Sequence, residues 1–566
     1  MSVFTSFLHH LSFRLTQKGK REFLQSAKQL QAAQEHRFRQ IMQTVSGSDS
    51  GYRNGLTSAT GLTEFRQRIA ISDYEDWQDL IARQRSSGGP VLSSDLCERY
   101  QPTSGSTSRI KWIPYTPSFL QELDQAITPW MADLYQRFPG IRRGRHYWSL
   151  SWVPQELRSV AGSVNDDLQL LPWWKRLFMS GTMAVPQQVS LAPTSELSLF
   201  ATLCYLCACR DLTLMSVWSP TFTLSLLQQL SDKRREVAAV LDSGRWAGDW
   251  GTEYEALNYL PAPKQKAAAA ILRQWNGQLN ADITRQLWPQ LALISAWDTS
   301  TSAPWAQQLQ QLFRHAQFQG KGLWATEGVV TFPFEGACTL ALNSHFYEFE
   351  NLDSGELLFS WELTPGMRVC PVISSANGLL RYRTKDQLVV EGFIHQCPTL
   401  RFISRLSGTD MVGEKMAPET ALDILQQLAV EYPVQPVSLL AVPGGRHDKE
   451  SGCYALLADG DASLTEEIAQ RLEVKLSEHF HYQLARELGQ LAPAQAILSK
   501  DAVGLYTRLR TEAGAVAGNI KIEPLLLCPQ AGPLLPESEE CTTARSAQTV
   551  SPIETAAAVE QTGVSA

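Results

Sequence analysis

Thr103-Ser104-Gly105-Ser106-Thr107-Ser108-Arg109-Ile110-Lys111-Trp112-Ile113-Pro114-Tyr115 joins a hydroxyl-rich loop to a short β-like run. Small hydroxyl residues around a glycine let backbone N–H and side-chain O–H groups converge on a polyphosphate, while Arg109 and Lys111 add positive charge. The spacing is not that of a Walker loop, and taken alone the same residues also suit an ordinary solvent loop. Further β-like runs follow at 214–218, 291–297, 322–325 and 388–390, alternating with helical segments. This alternation predicts an α/β architecture with a substantial sheet, whose ligands sit on loops at strand ends.

A chain of 566 residues is too long for one ordinary domain, so a large domain plus smaller ones is expected. A net charge of -7 offers no global attraction to nucleic acid or to an anionic membrane. The most apolar run, 197–209, stops at Arg210, short of the roughly 18 residues a membrane span needs. It reads as a buried helix. Residues 1–15 are broken by His9, His10 and Arg14 and show no small-residue cleavage site, so a cytoplasmic location is expected. Ten cysteines scattered along the chain argue for reduced thiols. Cys204, Cys207 and Cys209 lie inside the apolar helical run, where cysteine acts as a small hydrophobe, and no second cluster completes a tetrahedral metal site.

Residues 1–44 show helical periodicity and predict one long helix, ended by the breaker cluster at 46–51. After Arg405 the texture becomes that of a small α+β unit, with helices expected over 418–432 and 464–480 and strands over 437–442 and 454–458. The organisation expected is a large unit over 1–404, a small unit over 405–528, and a disordered tail over 529–566, which is too poor in large apolar residues to order itself.

Two more segments carry chemistry. Leu323-Trp324-Ala325-Thr326-Glu327-Gly328 places a carboxylate at a tight turn, where it suits a magnesium ion that also binds phosphate oxygens. Arg381-Tyr382-Arg383-Thr384-Lys385-Asp386 places an aspartate at a strand turn, able to accept both ribose hydroxyls of a nucleotide, and Arg405 stands where it can reach the same sugar or a phosphate. Read blandly, Arg381, Tyr382 and Arg383 form an amphipathic edge strand.

In this order, the hydroxyl/Gly loop, the T-E-G turn, R-Y-R-x-x-D and the downstream arginine resemble the core motifs of the adenylate-forming superfamily, and more closely the auxin-responsive acyl acid-amido synthetase family. The resemblance runs along almost the whole chain, from Ile71-Ser72-Asp73-Tyr74 through Leu287-Trp288-Pro289 and Glu414-Lys415 to Gly518-Asn519-Ile520-Lys521. It implies a large N-terminal adenylate-forming domain of mixed sheets flanked by helices, plus a small mobile C-terminal α+β domain. The activity implied is ATP- and Mg2+-dependent conversion of a small carboxylic acid to its acyl-AMP, followed by transfer of the acyl group to an amine or amino acid. A coenzyme A or carrier-protein thiol, or a hydroxyl, stays open as the acceptor, and so does a nucleotide-binding relative without catalysis. Neither nucleic acid nor stable membrane insertion is expected.

The resemblance also implies residue roles. Thr103, Ser104 and Ser106 would contact the ATP phosphates, with Lys111 a charge on the same loop. Glu327 would position magnesium, with Thr326 near the nucleotide. Phe346 or Tyr347 would border the nucleotide, Asp386 would bind ribose, and Arg405 would reach the sugar or phosphate. Lys415 or Lys521 would stabilise charge on the transferring phosphate. One departure touches the turn: Lys385 stands where the superfamily often has glycine, and a β-carbon there opposes positive φ. The acid pocket is expected near the tryptophan-bearing segments 147–152 and 173–174.

Overall fold

In the computed structural model, which describes residues 3–104, 110–149, 181–406, 408–409, 411–412, 414, 416–444, 451–513, 515 and 520–535, the N-terminal segment forms two helices where one was expected. Val3–Ala27 and Leu30–Val45 part at Lys28 and Gln29, although neither residue is a helix breaker. The cause is tertiary. Gln396, in a distant hairpin turn, donates its backbone N–H to Ala27 O (2.9 Å) and accepts from Leu30 N–H through its side chain (3.2 Å), and so takes up backbone groups that a continuous helix would use.

The phosphate-loop segment is a hairpin in which β1 (Arg99–Ser104) pairs antiparallel with β2 (Ile110–Tyr115). A four-stranded parallel sheet follows, in the order β3 (Arg145–Trp148), β4 (Leu212–Ser216), β5 (Leu293–Ala296) and β6 (Gln317–Gly320). Helices including Ser195–Ala208, Pro220–Asp232 and Ala303–Leu312 form the crossovers that parallel strands require. Cys204, Cys207 and Cys209 are buried and unbridged among the apolar residues around this sheet, as small hydrophobes. A short pair, β7 (Trp324–Ala325) and β8 (Gly328–Val329), carries Thr326 and Glu327 in its turn.

From here to Arg405 the expected alternation with helices gives way to a wholly antiparallel, eight-stranded sheet. Its members are β9 (Thr331–Phe334), β10 (Ala337–Leu340), β11 (Phe346–Asn351), β12 (Leu357–Phe359), β13 (Arg368–Ser374), β14 (Tyr382–Arg383), β15 (Asp386–Ile394) and β16 (Cys397–Arg405). The path runs β12-β11-β13-β15-β16-β10-β9, with β14 on β13. Tight turns make this possible. Glu335 and Gly336 both take positive φ (49° and 94°) between β9 and β10, the left-handed pair that suits a two-residue hairpin. Helix Val3–Ala27 covers the sheet by lodging Phe23 against Phe332 and Phe334 at 5.1 and 4.9 Å, and each such full burial stabilises by about 1.5–3 kcal/mol.

The C-terminal sheet combines β17 (Gln435–Val442), β18 (Cys453–Asp459), β19 (Gln495–Ser499) and β20 (Leu525–Leu527) in the order β19-β18-β17-β20. Helices Pro418–Glu431, Thr465–Ser477 and Ala502–Glu512 accompany it. The helix expected to reach 480 ends at Ser477, and a separate one runs from Phe480 to Glu487. Beyond Cys528, Pro529–Leu534 forms a 3-10 turn with Ala531 wholly buried, so folded chain continues past the expected start of the tail. Residues 536–566 lie outside the described residues. Among the described residues, no helix is long and apolar enough to cross a membrane.

Candidate functional site

β14 is a two-residue strand bracketed by residues in the left-handed region, Arg381 (φ 50°) and Lys385 (φ 60°). Such backbone costs a non-glycine residue on the order of 1 kcal/mol and needs support. Ser72 supplies some. Its N–H donates to Arg381 O and its carbonyl accepts from Arg383 N–H, both at 2.9 Å, so the I-S-D-Y segment forms a bridge alongside β14. Lys385 Nζ pairs with Asp73 Oδ2 at 2.9 Å. The lysine therefore adopts the positive φ that glycine would supply, and the turn survives the departure. Arg381 is not on an exposed edge: its guanidinium is buried against Glu348 (2.9 Å), whose other oxygen also takes Arg66 (2.7 Å).

With the turn fixed, Tyr382 donates its hydroxyl to Glu327 Oε1 at 3.0 Å. Burial, together with the Glu327 carboxylate, raises the phenol's pKa, so it remains a neutral donor. Asp386, 3% exposed, opens β15 opposite Arg405, the last residue of β16, and accepts from Arg405 Nε at 3.3 Å. Burial raises the Asp386 pKa; the Arg405 and Lys521 charges oppose that shift, and the Glu327 carboxylate adds to it. Arg405 in turn is held more firmly protonated, chiefly by Asp386. Lys521 enters from the segment before β20, with its ammonium 4.4 Å from the Trp297 ring at the end of β5. Burial first, and then Arg405, push its pKa down to about 8. The charges of Glu327, Arg405 and Lys521 thus all act on the buried Asp386 carboxylate along a single seam.

The β1–β2 hairpin joins this seam through tyrosines. Tyr115 OH donates to Thr326 O at 3.3 Å, and Tyr74 OH accepts from Trp112 N–H at 2.8 Å. Lys111 Nζ sits 5.1 Å from the Tyr74 ring. The hydroxyl/Gly loop and the T-E-G turn are therefore neighbours. Thr103 and Ser104 close the β1 strand opposite Lys111 and Ile110, and Ser106 and Lys415 lie outside the described residues. Within 147–152 only Tyr147, Trp148 and Ser149 are described; Trp173 and Trp174 are not.

Phe346 and Tyr347, expected to border the nucleotide, are both wholly buried, and Phe346 shares a cluster with Tyr74, Tyr115 and Tyr382. Phe346 packs on Phe38 at 5.1 Å, and Tyr347 directs its hydroxyl to Val329 O and Ala341 O at 2.6 and 3.0 Å. Both faces of β11 are covered at this point, so the alternation of its side chains separates two cores rather than core from site. Sequence reasoning missed Asp73, Tyr382 and Trp297. Ser72 and Asp73 lay within a quoted motif, but Trp297 gave no signal beyond its position at a strand end.

Among the described residues, no three His, Cys, Asp or Glu side chains gather as a metal cluster. Glu327 offers one carboxylate at a turn, which fits a magnesium ion completed by phosphate oxygens rather than by protein. Asp386, with one oxygen engaged by Arg405, offers a buried acceptor of the kind a sugar hydroxyl pairs with.

Residues 19–318 match the GH3 family N-terminal domain and residues 338–405 match the GH3 family central domain. The 4-substituted benzoates-glutamate ligase GH3.12 of Arabidopsis thaliana is 20% identical over 367 residues, which are 60% of this chain and 63% of that protein. The indole-3-acetic acid-amido synthetase GH3.8 of Oryza sativa subsp. indica is 22% identical over 406 residues, 66% of each chain. This chain thus spans a little under two thirds of the length of these curated relatives. In three dimensions it is similar to the GH3.15 acyl acid amido synthetase with a TM-score of 0.74 at 16% identity, covering 91% of this chain and 94% of that one. With the N-terminal match spanning the hydroxyl/Gly hairpin and the central-domain match spanning the Asp386–Arg405 pair, the chain belongs to the GH3 family.

Proposed function

We propose that this chain is an acyl acid-amido synthetase, which activates a carboxylic acid as its acyl-AMP at the expense of ATP and passes the acyl group to an amine or amino acid. The observation that supports this most is the convergence of Glu327, Asp386, Arg405 and Lys521, drawn from four distant stretches, on one seam beside the hydroxyl/Gly hairpin. Attack of a carboxylate on the α-phosphorus asks little acid-base chemistry of the protein. Positioning and charge stabilisation carry it. In this reading Asp386 accepts the ribose hydroxyls, Thr103, Ser104 and Ser106 hold phosphates, and Arg405 and Lys521 oppose the charge that grows on the phosphate oxygens. Glu327 would hold a magnesium ion, whose chemistry there would be to offset negative charge on the ATP phosphates. Tyr382 orients the Glu327 carboxylate for that ion.

The curated relatives are named as ligases of indole-3-acetic acid or of substituted benzoates, which supports an amine-bearing acceptor and an aromatic acid. The C-terminal unit beyond Arg405 would turn after adenylation, withdraw Lys521 and open a path for the amine. The acidic overall charge and the lack of a membrane-spanning helix among the described residues are compatible with the cytoplasm.

The test is acid-dependent exchange of labelled pyrophosphate into ATP over a panel of acids, followed by parallel incubations with amino acids, simple amines and coenzyme A. Exchange is expected with at least one acid, and it should vanish in Asp386→Ala and Glu327→Ala. Undiminished exchange in both variants refutes the site assignment. Acyl transfer to coenzyme A in preference to every amine refutes the amide reading.

A further inference from the structure

At the carboxyl ends of the parallel strands, where open α/β sheets place their ligands, a lysine is buried among tryptophans. Lys321 follows β6 directly and is 6% exposed. Its Nζ donates to Ser216 Oγ, at the end of β4, at 2.7 Å, and lies 5.4 Å from the Trp130 ring and 5.1 Å from the Trp218 ring. Trp324 joins this group, with ring centroids 6.1 Å from Trp130 and 6.4 Å from Trp218, and Trp148 meets Trp130 edge-on at 5.9 Å. All four tryptophans keep partly exposed faces.

An ammonium can donate three hydrogen bonds. Among the described residues Lys321 makes one, and no carboxylate stands within ion-pair distance. The buried indole N–H of Trp148 has no acceptor among them either. A buried cation without an anion is costly, and packing on aromatic faces offsets only part of that cost. Burial alone accordingly lowers the Lys321 pKa to about 7, with no contribution from Glu327, Asp386 or Lys521. Thr326, of the T-E-G turn, lies five positions further along the chain.

We infer that Lys321 is a specificity residue for the acyl substrate: it hydrogen-bonds an oxygen on the end of an aromatic acid opposite the reacting carboxyl, while the ring lies on the exposed faces of the tryptophans. This rests on the acid-activating reading above and names its substrate class, an aromatic carboxylic acid bearing a second oxygen acceptor, hydroxyl or carboxylate. The reacting carboxyl itself belongs near Glu327 and Lys521, which leaves the far end of the molecule for Lys321. Where a site is built to bond a polar group, a substrate lacking that group leaves a buried donor unpaired and is rejected strongly.

The experiment uses the full-length protein and pyrophosphate exchange with benzoate and phenylacetate, each compared with its 4-hydroxy and 4-carboxy forms. In the wild type, kcat/KM for at least one oxygen-bearing acid should exceed that of its parent by about tenfold or more. Lys321→Met should erase that ratio through KM, with kcat on the unsubstituted parent changed by less than about threefold. Parents used as well as, or better than, their oxygen-bearing forms by the wild type overturn the proposal without recourse to any variant. A Lys321→Met enzyme that loses activity equally on all six acids shows a purely structural lysine and also overturns it. Absence of exchange with every acid would instead remove the reading on which the proposal rests.

Discussion

Lys521 offers a titration that separates the proposed site from a chance assembly of charges. Burial holds its amine to a pKa of about 8, below the ordinary 10.5. If the protonated amine opposes charge on the phosphate, kcat/KM for pyrophosphate exchange should fall as pH rises through 8, because that constant reports the free enzyme. One unit above the pKa, about one molecule in ten keeps the proton, so at pH 9 a loss of roughly tenfold is expected. An unsubstituted acid is the right substrate, since Lys321 then plays no part. Once bound phosphate oxygens face the amine its pKa rises, so the limb in kcat should appear at higher pH than the limb in kcat/KM. Lys521→Met should be slow and flat across this window. Stability supplies an independent readout. The folded pKa lies below the unfolded one, so the unfolded chain binds more protons between about pH 8 and 10.5, and stability rises with pH in that window. At pH 7 the buried amine therefore costs on the order of 3 kcal/mol, and Lys521→Met should melt higher than wild type at pH 7 but not at pH 10.5. An alkaline limb that persists unchanged in Lys521→Met, or that disappears in Lys415→Met instead, refutes the reasoning.

Tyr382→Phe removes the hydroxyl that orients Glu327, and the magnesium concentration for half-maximal exchange should rise about tenfold, in line with a hydrogen bond to a charged group; an unchanged magnesium dependence would separate Tyr382 from the metal. Arg381→Met strips one cation from the buried Glu348 carboxylate and should destabilise by about 3–5 kcal/mol in denaturant melts. A loss below about 1 kcal/mol would mean that Arg66 alone satisfies Glu348. Lys385→Val forces a β-branched residue into the left-handed region and should cost about 1–2 kcal/mol, whereas Lys385→Gly should stay within about 1 kcal/mol of wild type. Equal stability of the two variants would show that the turn can relax to negative φ.

Much of the site was legible because its parts are short, chemically distinct words: a hydroxyl/Gly loop, a carboxylate in a turn, an aspartate opening a strand. Their order along the chain pointed to a family, and the structure brings Glu327, Asp386, Arg405 and Lys521 together. What stayed hidden is cross-chain. Nothing local in Lys321 says that its amine ends under Trp130 and Trp218, since those partners lie far away in sequence. The aromatic pair Phe346 and Tyr347 is ambiguous for a related reason, because a strand buried on both faces presents the same apolar text whether it lines a site or a core. The break between the first two helices is likewise imposed by Gln396, some 366 residues downstream of Leu30. In the fold, the parallel strands β4 and β5 overlap the runs expected at 214–218 and 291–297, whereas β3 and β6 fall outside the expected runs, and the antiparallel sheet after 320 depended on tight turns in which Glu335, Arg381, Lys385 and His395 take left-handed backbone without being glycines.

The anchoring of Lys521 limits how its charge can be withdrawn. Its carbonyl accepts from Tyr506 OH at 3.3 Å, the same hydroxyl takes Glu523 N–H at 3.1 Å, and four residues after Lys521 the chain is locked into the sheet as β20. A swing of the side chain alone can move the ammonium only by the reach of four methylenes. Any larger retreat must carry helix Ala502–Glu512 and its strands along, which turns a single ammonium into a pointer for the position of the entire C-terminal sheet. Because the pointer rests on the Trp297 indole, that retreat would leave an optical trace, a change in the emission of one tryptophan that a Trp297→Phe control would silence.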